Sequence, residues 1–170
     1  MKRTLPNHYE IAFGNWLRDN RVRYIAVDEK KRAAFGLSGI KSFDYLLTIN
    51  SRQIIAEVKG RKFKGTSFAK MSGFECWVTA DDIEGLSNWH EVFGYDHIPA
   101  FVFAYHIEKI DVDYDGRGVY EFQGRRYIFF CVRLDDYCRY MKLRSPKWRT
   151  VTLSANDFRK CAIQMQNIIL

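Results

Sequence analysis

The chain has 170 residues, 47% of them hydrophobic and 16% aromatic, enough apolar matter to pack one domain core and too much for a disordered chain. Its 27 Lys and Arg against 20 Asp and Glu leave a net charge of +7, which favours a polyanionic partner such as nucleic acid over an acidic-surface-avoiding role. The longest apolar runs, 98–105 and 127–132, fall well short of the ~20 residues of a membrane span, and four cysteines without a C-x-x-C pair fit a reducing cytoplasm.

In chain order, Met1, Lys2 and Arg3 carry the charge of a signal-peptide start, but Asn7, His8, Glu10 and Asn15 interrupt the apolar stretch that would have to follow, so no export is expected. Tyr9, Ala12, Phe13, Trp16 and Leu17 recur at helical spacing and predict a helix to residue 18 or 19, with Glu10 beside its buried stripe. A first strand is expected over 22–27, then a polar stretch 28–32 and a loop containing Gly36 and Gly39. Two β-rich runs, 43–49 and 54–59, are joined by 50–53, a length suited to a hairpin. The basic stretch 60–65 reads as a wet loop. Thr79 with Asp82 three residues on resembles a capping box, opening a helix whose face is Ile83, Leu86, Trp89, His90 and Phe93 and which Gly94 ends. A strand follows over 100–107.

The remainder, 108–170, reads as an extension on the same domain, whose core is 7–107. It should carry a hairpin around Asp115-Gly116, strands at 127–134 and 149–153, and a terminal helix from Ser154. This order predicts an α/β protein with a mixed central sheet flanked by helices.

One constellation carries chemistry. Asp44 begins an apolar strand, where a carboxylate is costly unless a cation or hydrogen-bond donor meets it. Glu57 and Lys59, two apart in 54–59, share one strand face, and a short hairpin can set Asp44 beside them. Two carboxylates and an ammonium suit phosphodiester hydrolysis: the acids can hold Mg²⁺, or Mn²⁺ in its place, and the lysine can orient water or steady the developing charge. An idle surface ion pair would sit among alternating polar residues, whereas these neighbours are apolar. Glu10 is a candidate third carboxylate for the metal. The Asp111-x-Asp113-x-Asp115-Gly116 run lacks the glutamate a calcium loop needs at its twelfth position, where Phe122 stands, and reads as a turn. His8, His90, His97 and His106 have no paired metal spacing.

The string Gly39-x4-Asp44-x12-Glu57-x-Lys59, with a preceding helix bearing Glu10 and a helix-strand unit behind, resembles the PD-(D/E)XK nuclease superfamily, in particular its Holliday-junction-resolvase-like and restriction-enzyme branches. His8-Tyr9-Glu10-x-Ala12-Phe13 is also similar to the opening of a small uncharacterised bacterial family with an H-Y-E-x-A-F-E motif, Gly14 replacing its last Glu. The resemblance implies a restriction-endonuclease-like αβββαβ core, with Asp44 and Glu57 as metal ligands, Lys59 as catalytic lysine and Glu10 as the helix carboxylate. Resolvase-like members often carry Gln or Lys early in the helix after the third strand; here that helix offers Asp81, Asp82 and Glu84, which complement a helix N-terminus.

Arg61, Lys62 and Lys64 follow Lys59 directly and are expected at the mouth of the site, where phosphates approach. A second basic segment interleaves Arg139, Lys142, Arg144, Lys147 and Arg149 with Tyr140 and Trp148, a pattern suited to phosphate neutralisation with base stacking or to a basic rim whose aromatics serve the core. The expected function is a metal-dependent endonuclease with DNA as substrate ahead of RNA. Cutting both strands of a duplex fits a homodimer. The rival readings are a catalytically inactive nucleic-acid or protein binding module, and an RNA-processing nuclease.

Overall fold

The computed structural model describes residues 7–27 and 42–169; the stretch at 28–32 and the loop with Gly36 and Gly39 lie outside them. Asn7 caps the first helix, α1 (His8–Asp19), by accepting the Glu10 N–H at 3.0 Å. The helix buries Ala12, Phe13, Trp16 and Leu17, the stripe its periodicity predicts. The edge strand β1 (Arg23–Ala26) pairs with β2 (Tyr45–Ile49), which turns through Asn50 and Ser51 into β3 (Arg52–Lys62). Both turn residues have φ near +50 to +65°, the twist that suits a two-residue hairpin loop.

β3 runs past the expected end, because it pairs in parallel with β5 (His97–Ile107) as far as Lys62 opposite His106. Between them lie the short β4 (Val78–Thr79) and helix α2 (Ala80–Phe93), opened by the Thr79–Asp82 capping box and stopped at Gly94 as expected. With β7 (Arg125–Arg133) and β10 (Ile163–Gln164), the central sheet runs β1-β2-β3-β5-β7-β10, and β6 (Tyr120–Phe122) pairs with β7. Helix α3 (Leu134–Tyr140) and strands β8 (Lys142–Ser145) and β9 (Thr150–Thr152) follow, and β4, β9 and β8 form a second, three-stranded sheet. The chain closes with α4 (Ala155–Cys161), β10 (Ile163–Gln164) and α5 (Met165–Ile168).

Two further details differ from the sequence expectation. Asp115 and Gly116 do form a left-handed turn, with Arg117 N–H on the Tyr114 carbonyl, but the hairpin turns instead at Gln123-Gly124, where β6 and β7 have partners. The helix begun at Ser154 stops at Cys161, because Ile163 and Gln164 pair with Cys131 and Phe130 of β7 and complete the sheet edge. β7 itself pairs with β5 along eight residue pairs, so the segment after 108 is woven into the main sheet rather than laid beside it.

Each sheet face has its own core. On one, Ala100, Val102 and Ala104 of β5 present small side chains, which lets α1 lie close with Phe13, Trp16 and Leu17. On the other, Phe101, Phe103 and Tyr105 meet Leu86 and Trp89 of α2, Tyr137 of α3 and Phe158 of α4. Each fully buried Phe or Leu stabilises by about 1.5–3 kcal/mol, so the doubly covered β5 anchors the domain. Among the described residues, no helix is long and apolar enough to cross a membrane.

Candidate active site

The regular β2–β3 ladder ends at Tyr45 opposite Ala56, and the chain bends at Asp44. Asp44 keeps two backbone bonds there: its N–H donates to the Ala56 carbonyl at 3.0 Å, and its own carbonyl accepts from Val27 N–H at 2.9 Å. Its side chain then takes over where the ladder stops, Oδ2 accepting the Val58 N–H at 2.7 Å. A carboxylate in that place makes a short charge-assisted bond to the backbone, which helps to orient it. Val58 stands between Glu57 and Lys59 in sequence, so Asp44 is tethered to the strand segment that carries them.

Glu57 and Lys59 do share a face of β3, with Lys59 Nζ 3.7 Å from Glu57 Oε1. A nearer acid is Asp82 of α2, whose Oδ2 lies 2.8 Å from the same ammonium and whose side chain is 1% exposed. The same Oδ2 accepts the Thr79 N–H at 2.9 Å, so this carboxylate closes the helix and grips the lysine together. Sequence reasoning assigned Asp82 to the helix N-terminus alone. A signal for the second task was present: in a parallel strand–helix–strand crossover the helix runs back along the sheet, placing its N-terminus at the C-terminal end of the first strand, where Lys59 lies.

Glu10 comes from α1, on the other side of the sheet, yet it shares the electrostatics of the site. Its carboxyl is pushed up to about 7, first by burial and then by the Asp44 carboxylate, with Lys59 pulling the other way. The Tyr45 hydroxyl donates to the Glu10 backbone carbonyl at 2.9 Å and ties α1 to β2 next to Asp44; its phenol is raised by burial and by Asp44 and Glu10. Close approach here depends on two glycines. A Cβ on Gly60, beside Lys59, would drive into the Tyr9 ring, and one on Gly14 would come within 2.7 Å of Tyr45 Oη.

Asp44, Glu57 and Glu10 carry the hard carboxylate oxygens that could serve a divalent ion. Among the described residues, no group of three or more His, Cys, Asp or Glu side chains is placed so that it could hold a metal ion. Mg²⁺ asks for less, since it keeps several waters and takes one or two carboxylates plus substrate phosphate, so the pair Asp44 and Glu57 fits it.

The basic residues fall in three places. Arg61, expected in a wet loop, is still in β3 and half-buried: Nη1 donates to the Gly60 carbonyl at 2.7 Å, Nη2 to the Trp77 carbonyl at 2.6 Å, and the guanidinium lies 3.8 Å from the Trp77 ring centroid. Burial lowers its pKa, and the carbonyls and ring make that burial tolerable for a planar cation. Lys62, at the end of β3, and Lys64, just past it, are exposed and paired with Glu108 at 3.2 Å and Glu75 at 3.0 Å. Arg139 lies in the last turn of α3, and Lys142, Arg144, Lys147, Trp148 and Arg149 lie on the exposed β8–β9 hairpin.

That hairpin reaches the site through α2: Thr79 pairs with Thr150, Ala80 N–H donates to the Arg149 carbonyl at 2.8 Å, and Arg149 Nη1 is 3.5 Å from Asp81 Oδ1. His8 Nδ1 meets Tyr127 Oη at 2.9 Å, its ring centre lies 5.6 Å from that of His106, and burial leads in lowering both imidazoles; His106 Nδ1 is 3.7 Å from Glu108 and His97 Nδ1 3.3 Å from Asp96.

The chain matches no protein-family model and no curated protein. Its structure is similar to that of Hjc, a Holliday junction resolvase from the archaeal hyperthermophile Archaeoglobus fulgidus, with a TM-score of 0.51 over 95% of this chain and 92% of that one. The fold is restriction-endonuclease-like. At 13% identity the likeness speaks for architecture alone, and it spans the residues after 108 as well as the first core.

Proposed function

We propose that this chain is a divalent-metal-dependent endonuclease that hydrolyses DNA. The observation that carries the reading is the Asp44 carboxylate, fixed 2.7 Å from the backbone N–H of Val58, between Glu57 and a Lys59 whose ammonium is held by acids on two sides. Asp44 and Glu57 would hold Mg²⁺ or Mn²⁺, with Glu10 as a third carboxylate reaching the ion through water. When bound, the ion supplies Lewis acidity: it polarises a phosphoryl oxygen and lowers the pKa of a water.

Lys59 orients the attacking water or steadies charge on the phosphoryl oxygens, and its bond to buried Asp82 restricts it to one position, as electrostatic preorganisation requires. The net charge of +7 and the exposed basic hairpin support a nucleic-acid substrate, and a Holliday junction resolvase as structural neighbour supports DNA. Four free cysteines, three of them buried, suit the reducing cytoplasm. A homodimer would supply the two sites that cutting both strands requires.

A binding module without catalysis is the second reading, and what favours it is the Lys59 ammonium lying nearer Asp82 than Glu57. Calorimetric titration with Mn²⁺, run beside a plasmid-nicking assay with Mg²⁺, separates the two. The nuclease reading expects uptake of the ion and nicking by the parent protein and neither by Asp44→Ala; a parent that takes up no ion and nicks nothing would overturn it.

A further inference from the structure

The β8–β9 hairpin is unlike the rest of the surface. Trp148 is 68% exposed and Leu143 65%, on a segment that also shows Tyr140 and Met141 at its base. Exposed aromatic and aliphatic area of this size is not spent on the core, which settles one of the two sequence readings of these aromatics: Trp148 is not a core residue. Charge is concentrated with it. Arg139, Lys142, Arg144, Lys147 and Arg149 all lie on or beside the hairpin, and among the described residues only Arg149 has a carboxylate within ion-pair distance, Asp81 at 3.5 Å.

The tip is also preformed. Arg149 N–H closes the turn on the Pro146 carbonyl at 3.3 Å, Arg149 itself is left-handed at φ 50°, Trp148 N–H donates to Ser145 Oγ at 3.3 Å, and Lys147 Nζ lies 5.2 Å from the centre of the Trp148 ring. An indole held outward by its own turn, with cations around it, presents a π-face without losing much freedom on binding.

The hairpin is coupled to the acidic site by short links. The Arg149 carbonyl accepts from Ala80, two residues before the Asp82 that grips Lys59, and Arg144 and Arg61 both lie over the Trp77 ring, at 5.0 and 3.8 Å. A strand whose phosphates run along Arg144, Lys147 and Arg149 is therefore led toward Glu57 and Lys59.

We infer that the β8–β9 hairpin is a stacking arm for unpaired DNA, with Trp148 taking an exposed base on its ring and the surrounding Arg and Lys taking the flanking phosphates. In a closed duplex every base face is already stacked, and an indole gains nothing from it without paying for unstacking. The preferred substrate is then DNA with a single-stranded stretch beside the scissile bond: a fork, overhang or branch. For cleavage this rests on the nuclease reading; for binding it does not.

The test is binding in EDTA, by fluorescence anisotropy of labelled blunt duplex, forked duplex and single strand, which keeps its outcome independent of whether the chain cuts. Trp148→Ala is expected to weaken the fork and the single strand about tenfold or more while changing the blunt duplex less than about twofold, and Trp148→Tyr to restore most of the loss. Lys147→Ala combined with Arg144→Ala should weaken all three, more at low salt than at high. Equal loss on duplex and fork, no loss on either, or Trp148-dependent binding of RNA strands alone would overturn the inference. Exposure of the indole leaves the fold unaffected, which an unchanged melting curve verifies.

Discussion

The Lys59 ammonium sits 2.8 Å from the Asp82 carboxylate, and that same carboxylate closes the first turn of α2. One acid thus joins the third strand of the sheet to the helix behind it.

Two variants of this junction should separate its tasks. Thr79→Ala removes one capping bond and should cost about 1 kcal/mol. Asp82→Ala also strands a shielded ammonium, a change worth about 3–5 kcal/mol when a buried pair loses one member, tempered here by Glu57 at 3.7 Å. Urea unfolding monitored by circular dichroism measures both. Equal losses would mean that the ion pair adds nothing to the cap.

Asp44 allows structure and metal binding to be told apart. Asp44→Asn keeps an oxygen that can accept the Val58 N–H, so the unfolding midpoint should move little, whereas Asp44→Ala leaves that amide without its side-chain acceptor and should cost about 1–3 kcal/mol. Both remove the charge a cation needs, so both should lose Mg²⁺-dependent nicking by on the order of 10²-fold or more. An Asp44→Asn protein that nicks plasmid at the parent rate would remove Asp44 from the proposed metal site.

What the sequence made legible was local. The hairpin after β2, the Thr79–Asp82 capping box, the stop at Gly94 and the shared face of Glu57 and Lys59 each depend on residues within a few positions of one another. The rest depended on distant pairing. β7 enters the sheet because β5 needs a second partner, which no pattern within 125–133 announces; the turn at Asp115-Gly116 carried the stronger turn dipeptide but had no paired strands to join. Arg61 could be half-buried only because Trp77, sixteen residues on, offers a carbonyl and a ring to its guanidinium. Basic composition alone reads as solvent-facing.

Glu10 predicts a pH dependence in the metal-free protein. Its folded value of about 7 lies above the ordinary 4.5, so the native state holds this proton more tightly than the unfolded chain does. The stability it contributes is complete below about 4.5 and is lost as pH rises through about 7, where an ionised carboxylate is left half-buried beside Asp44. Glu10→Gln keeps the size and removes the ionisation, so its unfolding free energy should be flatter across that window, and above it the variant should be at least as stable as the parent. Denaturant titrations at a series of pH values give both curves; parallel curves would show that Glu10 titrates normally.

The approach of α1 to the site can be perturbed without touching a charge. At Gly60 an added methyl meets the near side of the Tyr9 ring, whose anchored atoms cannot swing clear, so Gly60→Ala should push the start of α1 off the sheet and cost about 1–3 kcal/mol, the usual price of overpacking. Gly14→Ala meets only the hydroxyl end of Tyr45 at 2.7 Å and should cost less. A cycle with Tyr45→Phe checks the second case: removing the hydroxyl also removes its bond to the Glu10 carbonyl, so the single variant loses stability, but the methyl at position 14 should then be tolerated. Because Glu10 rides on this helix, Gly60→Ala should also bring the Glu10 carboxyl back toward its ordinary value as water enters, a change that NMR titration of the side-chain carbon reads directly. If Gly60→Ala leaves both stability and that titration unchanged, then the packing of Tyr9 against β3 does not set the environment of Glu10.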